Sequence, residues 1–369
     1  MQKQYRILVI KPKTTTTLIG VFHNEMCIYK QTIFHQATFK SDLSEIDNEV
    51  AVRKTQILRG LNEAGINMSR LDAISAIGGL LRAIEGGTYS VTEDLLIDLR
   101  SSYNGKHASN LGGILAYEIA KGLNLPAYLV DPPVVDELGR LAKYTGFPTI
   151  KRKSIFHALN QKAVARQAAR ELNVAYEKAN LIVAHIGNGI TIGAHQQGKV
   201  IDVNNGLHGD GPFSLERAGT IPSEALISLC FSGDYSEEDI INKITYKGGL
   251  KAYLDTDDIS EIERRIQNND FKAKITLEAM AYQISKEIGS MAAVLAGQIQ
   301  GIVLTGELSN STILTDFITE RVNWIADVFI YPGEYDLQAL NAGTLRVLRE
   351  EEEPQAYRQN HDDKGEGSQ

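Results

Sequence analysis

Two stretches of this chain share one plan, and that plan limits the fold more than any other feature. Residues 7–22 read ILVIKPKTTTTLIGVF and residues 181–195 read LIVAHIGNGITIGAH. Each is an apolar strand, a polar turn of small residues and a second apolar strand. Each leads on to a further short strand, MCIYKQTI or KVIDVNN. Unrelated hairpins can look this similar, since hairpins are common. The sharper reading is two related domains, one per half of the chain.

The rest of the chain alternates in the same spirit. RILVI, TLIGVF, LDAISAI, PAYLVD, NLIVAHI, ITIGAH and QGIVLTG are short, β-branched and bounded by Gly, Pro or Asn. Between them lie amphipathic stretches such as NEVAVRKTQILRGLNEAG, LGGILAYEIAKGLN and TLEAMAYQISKEIGSMAAVLAG. This alternation predicts an α/β protein with helices packed on mixed sheets. A length of 369 residues suits two domains. The net charge of −8 argues against nucleic acid or an anionic membrane as main partner. No apolar run approaches the roughly 18 residues of a membrane span, and MQKQYRILVI is too short and polar for a signal peptide. Cys27 and Cys230 stand in apolar surroundings and are expected as buried thiols in a reduced cytoplasm.

Several segments carry residues suited to chemistry. In His185-Ile-Gly-Asn-Gly-Ile-Thr-Ile-Gly193, Gly187 and Gly189 flank Asn188, so successive N–H groups can turn toward one anion, with Asn188 and Thr191 as extra donors. A tight Asn-Gly hairpin is the plainer reading. Neither a dinucleotide fingerprint nor a P-loop is present. The glycine-rich run DVNNGLHGDGPFSLERAGTIP carries Arg217, which is either an anion clamp or the partner of Glu216. VDPPVVDEL puts Asp131 at a strand end, where α/β sheets place ligands. RKSIFHALNQKAVAR puts His157 at a helix start, followed by Asn160 and Lys162. QGIVLTGELSNS runs a buried strand into Thr305-Gly306, where a nucleotide can lie against backbone.

These segments, with GGLLRAIEGGTY, HASNLGG and KGGLKAYL, resemble the butyrate kinase branch of the acetate kinase family, from residue 6 to about 350. The resemblance implies two actin-like (ribonuclease H-like) domains with a nucleotide cleft between them. It implies ATP and Mg²⁺, a short-chain carboxylate or acyl phosphate as substrate, and a cytoplasmic homo-oligomer. It places the domains at 1–155, taking back a helix near 337–349, and at 156–336, with 350–369 as a disordered tail. Asp131 then matches the carboxylate near the metal and the attacking group. His157 and Arg217 match side chains that stabilise the phosphoryl group in flight. Thr14 and Thr16 match the first phosphate loop, His185, Gly187, Asn188 and Gly189 the second, and Thr305 and Gly306 the nucleotide side.

The chain departs from the family inside those motifs. Where the pattern reads Asn-Pro-Gly-Ser-Thr-Ser-Thr-Lys, this chain has Lys11-Pro12-Lys13-Thr14-Thr15-Thr16-Thr17-Leu18. The arginine that holds the substrate carboxylate is replaced by Ile77, and a nucleotide-side glycine by Glu307. A tyrosine stands where an acid is usual in Pro332-Gly333-Glu334-Tyr335-Asp336. Two readings remain: a kinase with an altered cradle in which Lys11 and Lys13 hold phosphate, or a catalytically impaired paralogue that binds nucleotide or anion in a regulatory role. The resemblance, more than the stripe of Met280, Ile284, Ile288, Met291 and Val294, predicts self-association. Light scattering at micromolar concentration is expected to exceed the 40.6 kDa monomer mass, and a pure monomer would count against it.

Overall fold

A computed structural model describes residues 3–35, 43–207 and 210–357. The strands are β1 Arg6–Pro12, β2 Thr16–His23, β3 Met26–Phe34, β4 Ala73–Ile77, β5 Thr88–Ser90, β6 Ala127–Val130, β7 Asn180–Ile186, β8 Ile190–Gln196, β9 Lys199–Val203, β10 Gly301–Gly306, β11 Val328–Pro332 and β12 Gln355–Ala356. They form a seven-stranded sheet, β12-β5-β6-β4-β1-β2-β3, and a five-stranded sheet, β11-β10-β7-β8-β9.

The chain divides into two compact units: residues 1–135 with 335–369, and residues 136–334. In the first, β1 pairs antiparallel with β2 and parallel with β4, β2 pairs antiparallel with β3, and β4 pairs parallel with β6. In the second, β7 pairs antiparallel with β8 and parallel with β10, β8 pairs antiparallel with β9, and β10 pairs parallel with β11. The five-stranded plan is therefore the same twice. Each unit also has a register shift in the outer ladder, at Val21/Phe22 and at Ala194/His195. β5 and β12 are additions to the first sheet.

The inner strands β1, β4, β6, β7 and β10 are buried on both faces, which is why they read as continuous apolar runs rather than alternating ones. Leu8, Ile10, Ile74 and Ala76 join the core built with helices Leu43–Glu63, Glu93–Ser101 and Asn110–Leu123. On the other face, Ser75 donates to the Leu340 carbonyl of helix Asp336–Leu348, whose Val347 packs with Ala73 and Tyr128. In the second unit, Ile182, Ala184, Ile192, Ile302 and Leu304 pack against helix Phe271–Val294. Met280, Ile284, Ile288 and Met291 of the stripe lie inside that core, while Val294 is exposed.

Three expectations need correction. The second unit begins at Asp136, about twenty residues before the expected 156. The segment after it is tied to β9 through Gly139 N–H to Ile201 O, Val200 N–H to Glu137, and the Arg152–Asp202 ion pair. Cys27 and Cys230 are exposed, because β3 is an edge strand and helix Ser223–Cys230 buries none of its residues. The segment after Glu350 is not uniformly a disordered tail: Gln355–Ala356 pair with β5 and Tyr357 is buried. Residues 358–369 lie outside the described residues.

The first hairpin is shorter than its sequence suggested. Lys11 pairs with Leu18 and Pro12 with Thr17, so only Lys13-Thr14-Thr15 form the turn. Beneath it lies Arg53, fully buried on helix Leu43–Glu63. Its Nη1 donates to Lys13 O at 2.8 Å, Thr16 O at 3.1 Å and Thr17 Oγ1 at 3.2 Å. Its Nη2 donates to Thr14 O at 2.9 Å, and its Nε to Glu49 at 2.7 Å. A buried cation broken from its partners typically costs about 3–5 kcal/mol. Arg53→Met is expected to lower the unfolding free energy of the first unit by about that amount, read by urea denaturation with hydrogen exchange on β1 and β2. A loss below about 1 kcal/mol would show that the turn holds without the guanidinium.

Candidate active site

The first unit carries its site residues at the ends of parallel strands. Ile77 closes β4, and the glycines after it let two strand ends meet: a Cβ on Gly78 would lie 2.3 Å from Pro132 Cβ. Asn110 of the HASNLGG stretch accepts the Leu80 N–H at 2.8 Å and donates to Gly105 O, which fixes the turn after Ile77. Asp131 follows β6 in the left-handed region, φ +38°, an uncommon conformation for a non-glycine residue. Its carboxylate accepts the Gly87 N–H at 2.8 Å while its own N–H donates to Gly87 O at 3.0 Å.

Lys11 is buried within β1 and ion-paired with Asp336. Strand pairing, not a loop, sets its position, so it is not a flexible point charge at the turn. Lys13, Thr14 and Thr15 are exposed at the turn, and Thr16 is half-buried. Thr17 is buried against His35, Oγ1 to Nε2 2.8 Å, and burial holds the His35 pKa below its ordinary value.

In the second unit the glycine hairpin has a three-residue turn, Gly187-Asn188-Gly189, between Ile186 and Ile190. The rings of His157 and His185 stack with centroids 3.8 Å apart and planes 13° from parallel. Thr191, expected as a ligand donor, is instead buried behind His157, Oγ1 to Nδ1 2.9 Å. Gln161 Nε2 donates to both Thr191 O and Thr191 Oγ1, which fixes the orientation of its amide. Thr191 Oγ1 thus receives one proton and faces no other acceptor among the described residues. With Thr191 as the donor to His157 Nδ1, the imidazole proton would sit on Nε2. Gln161 Oε1 then takes the Nε2 proton of His195, whose Nδ1 accepts the Tyr176 hydroxyl. Spacing in the sequence did not reveal Gln161, Tyr176 and His195 as a relay, because its members are far apart in the chain.

His185 Nδ1 meets Asn160 Oδ1 at 3.1 Å, and Thr305 Oγ1 donates to that same oxygen at 3.2 Å. The Asn160 Nδ2 group is buried without a hydrogen-bond partner. Thr305 therefore serves to seat Asn160. Gly306 has φ +93°, and a Cβ there would fall 2.5 Å from Ile186 O, so glycine is required for the close approach of β10 to β7. Glu307, the next residue, is exposed. Asn188 is exposed, and its carbonyl accepts the Ser214 hydroxyl at 2.6 Å.

Arg217 lies over the same turn, with Nη1 2.2 Å from where a Gly189 Cβ would be. It lines a recess with Ile190, Asn205, Gly206, Asp210 and Ser214. Its neighbour Glu216 is taken by Lys251 at 2.6 Å. Among the described residues no carboxylate is within ion-pair distance of Arg217. Burial lowers its pKa, with Tyr246 and Glu216 pulling the other way. A guanidinium nonetheless stays protonated, so Arg217 keeps its positive charge beside the turn. Lys162, by contrast, is buried against Glu137 at 2.7 Å and is structural.

Among the described residues no group of three or more His, Cys, Asp or Glu side chains gathers to hold a metal. Magnesium needs only one or two protein carboxylates, and Asp131 is the residue that would hold it, where it would neutralise phosphate charge. Arg217 and the glycine turn beneath it fit a phosphate.

Residues 144–325 match the sequence model of the Acetokinase family. Among solved structures, the chain is similar to acetate kinase from Porphyromonas gingivalis: 17% identity, TM-score 0.76, 93% of this chain and 100% of that one. It is similar to a propionate kinase from Francisella tularensis subsp. tularensis: 19% identity, TM-score 0.69, 91% and 98% covered. Acetate kinase from Entamoeba histolytica gives 14% identity, TM-score 0.70, 92% and 99%. At these identities the likeness establishes the fold alone, an α/β fold whose chain divides into two units.

The His195 network has a pH signature. Burial, with Lys162 and Arg166 nearby, pushes the His195 pKa from 6.5 down to about 3. The unfolded chain therefore takes up a proton below pH 6.5 that the folded unit refuses, and stability falls with pH between those limits. The expected slope is about 1.4 kcal/mol per pH unit from this one group. His195→Gln should flatten acid denaturation of the second unit in that window; an unchanged slope would show that other groups dominate it.

Proposed function

We propose that this chain is an ATP-dependent kinase of short-chain carboxylates, of butyrate kinase type. The observation that carries the reading is Arg217: half-buried, without a counter-ion among the described residues, and seated on the Gly189 turn. Bound ATP with Mg²⁺ would supply the γ-phosphoryl group and neutralise part of its charge. The chain's own residues supply position and electrostatics. Arg217 offers a planar fork of donors to an anion. His157, with its ring fixed by Thr191 and by stacking on His185, presents an Nε2 proton to a developing oxyanion. Asp131, held by Gly87, is assigned to the metal and the attacking carboxylate. Preorganised groups of this kind act because they need no reorganisation as charge develops. The reading carries with it a cytoplasmic homo-oligomer. No described helix is long and apolar enough to cross a membrane.

A second reading has its own observation. Lys11 neutralises Asp336 in the first unit, and Ile77 stands where the resembling family has its carboxylate-binding arginine. Under that reading the chain binds nucleotide or phosphate in a salt-sensitive way without turnover.

A hydroxamate assay with ATP, Mg²⁺ and C2 to C6 carboxylates separates the two. The first reading expects acyl phosphate formation, best with four-carbon acids, and a loss of about 10³-fold or more in Arg217→Ala, as for a cationic group on a transferring phosphoryl. Arg217→Lys should restore little, because a point charge does not reproduce the fork. Nucleotide binding with no product across the whole panel would favour the second reading.

A further inference from the structure

The residues after helix Asp336–Leu348 turn back onto the segment that holds Asp131. Glu352 accepts the Thr88 N–H at 3.1 Å and pairs with Arg346 at 2.7 Å. Gln355 and Ala356 run parallel to Tyr89 and Ser90 as β12. The Gln355 amide donates to Gly86 O at 3.0 Å and packs on Gly87, where an added Cβ would lie 2.4 Å from Nε2. Tyr357 anchors the end: it is 3% exposed, and its hydroxyl donates to Asp98 Oδ2 at 2.5 Å while accepting the Arg82 N–H at 3.2 Å. Asp98 also holds the Arg82 side chain, Nε to Oδ2 2.8 Å.

Gly87 thus stands between two contacts. On one side is Gln355; on the other, its N–H and C=O exchange hydrogen bonds with Asp131. A glycine at φ +144° has no side chain of its own to fix it, so its neighbours must do so. The φ of +38° at Asp131 likewise persists only where the surroundings over-determine it. We propose that residues 352–357 form a positioning strap: Tyr357 anchors it, Gln355 fixes Gly86-Gly87, and Gly87 thereby aims the Asp131 carboxylate. Gln355 and Tyr357 are positioning residues, since neither touches Asp131 itself. The assignment of Asp131 to metal and attacking group rests on the proposed kinase function; the mechanical link does not.

The test compares the full chain with Gln355→Ala, Tyr357→Phe and a truncation after Glu350. Hydrogen exchange at the Gly87 amide reads the strap directly. Gln355→Ala is expected to speed exchange there by roughly tenfold, and the truncation by more, while β1 and β4 stay protected. In the acyl phosphate assay, Gln355→Ala should lower kcat by roughly tenfold, as small misplacements of a positioned group do. Its KM for the carboxylate should stay within about twofold. Tyr357→Phe keeps the ring and should show a smaller effect in the same direction. Unchanged Gly87 exchange in Gln355→Ala and in the truncation overturns the strap. Faster Gly87 exchange in a chain whose wild type forms no acyl phosphate supports the strap and counts only against the kinase reading. Faster exchange with unchanged kcat in an active enzyme overturns its role in aiming Asp131.

Discussion

The constraint from which the rest follows is the burial of β1 and β7 on both faces. A strand in that position gives its backbone to neighbours on either side and its side chains to two cores, so it has no exposed edge on which to slip. Its register is then set, and so are the places where it must stop. At those places the carbonyls and amides leave the ladder while still inside the protein, and each needs a partner. In the first unit Arg53 meets the carbonyls of Lys13, Thr14 and Thr16. In the second, Asn204 serves β8 by accepting the Ile192 N–H and donating to Ile190 O. The same hairpin plan is thus closed by a cation in one unit and by an amide in the other.

Charge placement separates scaffold from site. Lys11, Arg53 and Lys162 are buried, and each has a carboxylate partner on the spot. A buried pair of that kind adds little net stability, but losing one member is costly, so these groups hold position. Arg217 lacks such a carboxylate among the described residues. The protein tolerates this because a glycine turn and a recess lie beside the guanidinium. The departures at Lys11 and Glu307 leave the scaffold undisturbed for opposite reasons. Lys11 is absorbed into an ion pair within its own unit, and Glu307 turns to solvent.

Under the proposed function, the histidines link side chains deep in the core to the candidate site. His157 and His185 stack, and each is held at Nδ1 by a different buried neighbour. Behind His157 the relay runs through Thr191 and Gln161 to His195 and Tyr176. It works only while His195 is neutral, which its burial ensures. Order in the site is therefore purchased with groups that are themselves fully inside the core.

Much of the fold was legible in the chain itself. Apolar runs bounded by Gly, Pro and Asn marked the strands, and the two strand–turn–strand stretches announced the repeated plan, because such patterns follow from local geometry and burial. His157, Arg217 and the Gly187-Asn188-Gly189 turn could be picked out as candidates, but sequence alone left the turn readable as a plain hairpin and Arg217 as the partner of Glu216. What only the tertiary structure decided is which polar group answers which. Lys11 faces Asp336 across 325 residues, Tyr357 faces Asp98 across 259, and Gln161 orients Thr191 from 30 residues away. Periodicity records which face of an element is buried. It carries no information about the partner on the far side of that burial, because hydrogen bonds and ion pairs act over a few ångströms in space and not along the chain.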